Sequence, residues 1–191
     1  MQSLEEATSD SWIGHSLTVQ RSNGLASWAE FSATAPEFAE VIQGRLSASE
    51  HHVLATLHAD GSPRVNGTNL LFEGEDLVIG CMPGTRRAAD LRRDPRCAIH
   101  TSPDLASMPD GDARIECEAQ ELGSESVRVI LDRLQAEAKS SSERPEEGSA
   151  PSEGEFFSLQ IKSVSHVQVQ GDRLLLTIWD PAQGLRRIWR S

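Results

Sequence analysis

Thr85, Arg86 and Arg87 stand together in the run MPGTRR, so one hydroxyl and two guanidinium groups share a short stretch of chain. A guanidinium is a planar fork that gives bidentate, charge-assisted hydrogen bonds to phosphate oxygens. A helix opening at Thr85 adds free backbone N–H groups and the positive end of its dipole. That combination is suited to holding a phosphate. Upstream, Arg64, Asn66 and Thr68 recur at every second residue. This is the period of a strand, so the three side chains share one face. The polar stripe has two readings: groups turned into a ligand cleft, or the solvent face of a strand. Arg92, Arg93 and Arg96 in LRRDPR read as a solvated helix end favoured by the helix dipole.

The elements that must position these residues are legible around them. Residues 1–27 are polar and aperiodic and read as a flexible tail; a single domain is expected over 28–191. Phe38, Val41, Ile42 and Leu46 lie at helical spacing after Pro36. HVLATLH and RVNGTNLLFE read as strands joined at Asp60-Gly61, a pair that tolerates the positive φ of a tight hairpin. LVIGCM follows a second turn, then the short helix from Thr85 to Arg93, which Asp94-Pro95 stops before the strand RCAIHT. ARIECEAQEL is a further strand, and Val127, Ile130, Leu131, Leu134 and Ala138 mark another amphipathic helix. The stretch near 140–155 is acidic and rich in Pro and Ser, and reads as a mobile loop. Three strands close the chain: FFSLQIKSVSHVQVQ, RLLLTIWD and GLRRIWR. Strands in hairpin order, without βα alternation, imply a mainly β antiparallel barrel or sandwich rather than a Rossmann domain.

Eighteen basic against 29 acidic side chains leave a net charge of -11, which repels a phosphodiester backbone and anionic membranes alike. Neither nucleic acid nor membrane is an expected partner. Cys81, Cys97 and Cys117 are odd in number and form no CxxC pair, so neither a disulfide framework nor a zinc site is supported. Free buried thiols, with no signal peptide, read as a cytoplasmic protein. The histidines show no HxH or HExxH spacing and no GxSxG elbow occurs, so no metal or hydrolase centre is expected. His100 and Trp179 fall on strands that could border a site.

The pieces LATLHADGSPRV, GTRRAADLRRDPR and CAIH, in that order, resemble the pyridoxamine 5'-phosphate oxidase-like family of flavin and deazaflavin oxidoreductases. The resemblance runs over roughly residues 36–179 and is most specific between 53 and 101. It implies an FMN-binding split β-barrel, antiparallel and Greek-key, with a few flanking helices. It also implies a homodimer with cofactor at the subunit interface and two-electron chemistry on a small organic substrate. Carried over, Thr85, Arg86 and Arg87 would meet the phosphate, Arg64, Val65, Asn66 and Thr68 would line the ring, and Gly80, Cys81 and Met82 would offer backbone groups to its edge. No catalytic acid or base is identified, and the chain has no tyrosine to act as one. FMN is the implied cofactor and F420 the alternative; Ala89 and Asp90, where relatives carry a basic residue and Asn, weigh against the more anionic F420 tail. A non-catalytic heme, tetrapyrrole or flavin carrier on the same fold is the other reading.

Overall fold

The computed structural model describes residues 24–102, 110–140 and 153–190. Most of the tail and the greater part of the acidic loop lie outside the described residues. The fold begins before residue 28, however: Ala26 is buried and exchanges both backbone hydrogen bonds with Ile161. Ser27 then caps α1 (Trp28–Thr34) through a reciprocal capping box with Glu30. This helix was not foreseen, because it offers only Trp28 and Phe31 as large apolar residues, too few to display a period. α2 (Pro36–Ser47) follows with proline at its first turn, where a missing N–H costs nothing.

Among the described residues, nine strands form one antiparallel sheet: β1 (His52–Leu57), β2 (Pro63–Thr68), β3 (Leu70–Glu73), β4 (Asp76–Cys81), β5 (Arg96–His100), β6 (Asp112–Glu121), β7 (Glu155–Gln170), β8 (Arg173–Asp180) and β9 (Gly184–Arg190). α3 (Arg86–Arg93) connects β4 to β5, and α4 (Ser124–Ser140) connects β6 to β7. The hydrogen-bonded order is β2-β1-β5-β6-β7-β4-β3. β7 is long enough to serve two partners on one edge: residues 155–159 pair with β4 and residues 164–170 with β8. The expected hairpin turn at Asp60-Gly61 is present, with Gly61 at φ +82°.

Inward side chains of β1, β4, β5, β6 and β7 make one core with the apolar faces of α1, α2 and α3. Leu54, Leu77, Ile99 and Leu159 are fully buried there. Trp179 belongs to this core, its ring 4.8 Å from Phe31, so it packs rather than borders a site. A smaller cluster under α4 joins Ile130 to Val78, Leu122 and Phe156 on the outer face of the sheet. No described helix is long and apolar enough to cross a membrane.

Candidate functional site at the barrel seam

The strand expected over RVNGTNLLFE is two strands, and the division makes the site. β2 and β3 are separated only by Asn69, yet they stand at opposite ends of the hydrogen-bonded path. The sheet therefore curls until its ends meet at this residue. β3 pairs with β4, Leu70 lying opposite Ile79, whereas β2 turns away to pair with β1. Gly80 and Cys81 thus run beyond the end of β3, and a seam opens. A cleft of about 680 Å³ occupies it, within the usual range for small-molecule sites. Its wall comes from β2 and the crossing (Gly67, Thr68, Asn69), from the end of β4 and the residue after it (Gly80, Cys81, Met82), and from His51, Leu71, Arg87, Leu134, Glu153, Gly154 and Phe156.

α3 delivers the arginine to this seam. Thr85 caps the helix through its hydroxyl, which accepts from the N–H of Ala88, while Ala88 and Leu91 fix the helix in the core. Arg87 then spans the gap: Nη1 donates to the carbonyl of Gly67 on β2 at 3.0 Å, and Nη2 to that of Gly80 on β4 at 2.7 Å. Nε donates to the Cys81 sulfur at 3.2 Å. Three of the guanidinium's five N–H groups are thereby committed, leaving one on each terminal nitrogen for a ligand. Burial pushes the Cys81 thiol up, and Arg87 offsets this only in part, so the sulfur is a neutral acceptor near neutral pH.

Electrostatics around the turn are settled within the chain. The carboxylate of Glu155 accepts from the N–H of Gly84 at 3.4 Å and pairs with Arg92 at 3.0 Å. Arg92 also holds Glu121. Among the described residues the N–H groups of Arg86 and Arg87 find no acceptor, and the exposed Arg86 side chain has no partner. At the crossing itself, His51 Nδ1 donates to Asn69 Oδ1 at 2.7 Å, an arrangement the scattered histidines did not suggest in sequence.

Of the ten residues expected at a cofactor, Thr68, Gly80, Cys81, Met82 and Arg87 line the cleft. Arg64 does not. Its Nε binds Asp90 at 2.5 Å and its Nη2 binds His58 at 2.8 Å, so it ties β2 to α3. Arg93 completes the pair with Asp90 at 3.0 Å. Burial alone would raise the Asp90 carboxyl, but hydrogen bonds from Arg64 and Arg93 outweigh it and hold the group below the usual range. The Asp90 charge is consequently neutralised inside the fold and does not weigh against an anionic ligand. Val65 and Asn66 are exposed on edge strand β2, and Thr85 and Arg86 stand outside the cleft wall. Asn66 lies directly opposite the buried Leu54, so the stripe with Arg64 and Thr68 does share one face, of which only the Thr68 end reaches the cleft. His100 donates to the neighbouring Thr101 carbonyl at 2.7 Å and lies away from the cleft. All three cysteines are buried and free, Cys97 and Cys117 facing each other at 3.6 Å between sulfurs.

An antiparallel barrel split at one seam, with its cleft in the split and an arginine across it, defines the class. The chain belongs to the pyridoxamine 5'-phosphate oxidase family, whose model matches residues 37–168. The same fold is found in a pyridoxamine 5'-phosphate oxidase-related, FMN-binding protein from Nostoc punctiforme (TM-score 0.55, 14% identity, covering 82% of this chain and 96% of that one). PhzG from Burkholderia lata, solved with tetrahydrophenazine-1-carboxylic acid, is similar at TM-score 0.56 and 11% identity over 85% of this chain and 92% of its own. ChuZ from Campylobacter jejuni is similar at TM-score 0.60 and 16% identity over 82% of this chain and 63% of its own. No curated protein matches this chain in sequence.

Proposed function

We propose that this chain is a flavin-dependent oxidoreductase that binds FMN in the seam cleft, works as a cytoplasmic homodimer, and carries out two-electron chemistry on a small organic substrate. The observation that carries the reading is the seam itself, where Arg87 keeps one N–H on each terminal nitrogen beside a cleft of about 680 Å³. The residues present fit the group. Gly67 and Gly80 bring bare backbone to the cleft, the approach a flat ring needs. The free N–H groups at the start of α3 and the unpaired Arg86 suit a phosphate nearby. Leu71, Leu134 and Phe156 supply an apolar wall that keeps water from the ring face. FMN, when bound, supplies the hydride or paired electron transfers, and the chain supplies position and dryness. The Nostoc relative's description as FMN-binding supports the same choice.

The test is an absorbance and fluorescence titration of the purified protein with FMN and, separately, with F420, on wild type and Gly67→Val. A Cβ at Gly67 meets nothing within 4 Å and needs no positive φ, so the variant should fold while its branched side chain intrudes on the cleft. FMN binding weakened at least about tenfold in the variant, a loss of about 1.4 kcal/mol, supports the site. Binding of neither cofactor by wild type would refute the reading. A heme carrier is the second reading, because His51, Cys81 and Met82 put three possible axial donors on the cleft wall; a Soret band on heme addition would favour it. Sedimentation of the FMN-loaded protein checks the dimer.

A further inference from the structure

We infer that His51 hands protons to and from the substrate in the seam cleft, with Asn69 as its positioning residue; the inference rests on the functional reading above. His51 and Asn69 both line the cleft, and Asn69 is the single residue at which β2 passes into β3. Its place is therefore fixed from both sides by paired strands. Asn69 Oδ1 can only accept, so the 2.7 Å contact puts a proton on His51 Nδ1. The remaining ring nitrogen, Nε2, is then the one that takes up and releases a proton. A histidine free in solution mostly holds its proton on Nε2, so Asn69 reverses the default.

The other titratable groups of the cleft are already engaged or unsuited. Cys81 is a buried thiol whose sulfur accepts from Arg87, and Arg87 is engaged with that sulfur and two backbone carbonyls. The Thr68 hydroxyl donates to the Asn69 carbonyl at 3.2 Å. Glu153 is an exposed carboxylate on the cleft wall, and His52 and Glu50 are the charged or titratable chain neighbours of His51. Glu153, the exposed carboxylate on the wall, disfavours an anionic substrate beside the FMN of the functional reading. A neutral quinone fits that requirement, with one of its oxygens facing the His51 imidazole. In the reducing direction a hydride from the reduced flavin would go to one quinone oxygen, the quinoid double bonds would rearrange to the aromatic hydroquinone, and the second oxygen would form its O–H bond with a proton. The O–H proton comes from Nε2 of the His51 imidazolium, which regains it from solvent, while Nδ1–H stays bonded to Asn69 in both states.

Two readouts test this. Long-range proton–nitrogen NMR of the cofactor-free protein reads the His51 tautomer directly. Wild type should show Nδ1–H, and Asn69→Ala should revert to Nε2–H. Then FMN-loaded, chemically reduced protein is mixed with menadione, a neutral naphthoquinone, across pH 5–9, on wild type, His51→Gln and Asn69→Ala. His51→Gln, compared at equal FMN loading, should slow quinone reduction about 100-fold and remove one limb of the pH profile. Asn69→Ala should slow it about tenfold and shift that limb. A wild-type rate and profile in His51→Gln at equal FMN loading would overturn the inference, as would an Nε2–H tautomer in wild type. Failure of wild type to take up FMN at all would instead sink the functional reading, and the inference with it.

Discussion

Replacing Arg87 with alanine removes a side chain that bridges β2 to β4 across the seam, and the cost can be worked from its partners. Two backbone carbonyls, those of Gly67 and Gly80, lose a charged donor, and the Cys81 sulfur loses a third. A hydrogen bond to a charged group contributes about 1.5–3 kcal/mol, less where water competes, and Arg87 is only half-buried. The Arg87→Ala variant should therefore lose about 2–4 kcal/mol without any ligand present. For a domain of this size that is roughly 5–15 °C in Tm. Arg87→Lys keeps the charge but a single ammonium cannot reach all three acceptors, so it should fall between. Arg87→Met keeps the aliphatic stem and should resemble alanine. The assay is urea denaturation of cofactor-free protein, reading the midpoint with the slope held constant. A side chain kept only to hold a ligand anion would leave the empty protein's stability unchanged. A loss below about 0.5 kcal/mol in Arg87→Ala, the level of an ordinary surface change, would refute the argument that this arginine holds the seam.

Gly111 sits at φ +74°, and a Cβ there would lie 2.2 Å from the Val167 carbonyl oxygen. Gly111→Ala should therefore cost about 3 kcal/mol or more, whereas Gly44→Ala, on an open face of α2, should gain about 0.5–1 kcal/mol; thermal melts separate the two. Burial lowers the pKa of His52 and His166 below the ordinary histidine value of about 6.5, so the unfolded chain binds more protons in the window beneath that value. Stability should accordingly fall as pH drops below about 6.5 and level off above it, read as urea midpoints at several pH values. Asp90, held low by Arg64 and Arg93 against its burial, adds stability that is present above about pH 4 and disappears on further acidification. Asp90→Asn should cost about 2–4 kcal/mol at neutral pH, and a double variant with Arg64→Met should recover part of that, because a half-broken buried pair is worse than none.

The strands were readable because their signals are local. Hairpin glycines, alternating burial and the Asp-Pro stop after α3 each act within a few residues. α3 and its cap at Thr85 were legible for the same reason. The arrangement of the site was not. Arginines at 64, 86, 87 and 93 are chemically alike in sequence, and only the fold decides that Arg64 and Arg93 share Asp90 while Arg87 crosses the seam. The partners of Asp90 were hidden too, because a carboxylate's charge in sequence says nothing about which cations stand behind it. The division at Asn69 was hidden as well: the turn pair in RVNGTNLLFE, Asn66-Gly67, lies inside β2, and the change of partner at Asn69 is a property of the curled sheet. His51 gave no signal, since its partner lies 18 residues away and is set by that same change.

Joining the two ends of the sheet through a single residue also constrains how the barrel can move. The sheet cannot flatten, because the peptide bonds on either side of Asn69 hold its ends together. Opening the seam would widen a wedge with Asn69 at its apex, the carbonyls of Gly67 and Gly80 parting away from it. Arg87 sits across the mouth of that wedge like a latch. The width of the seam then depends on how tightly one guanidinium holds two carbonyls.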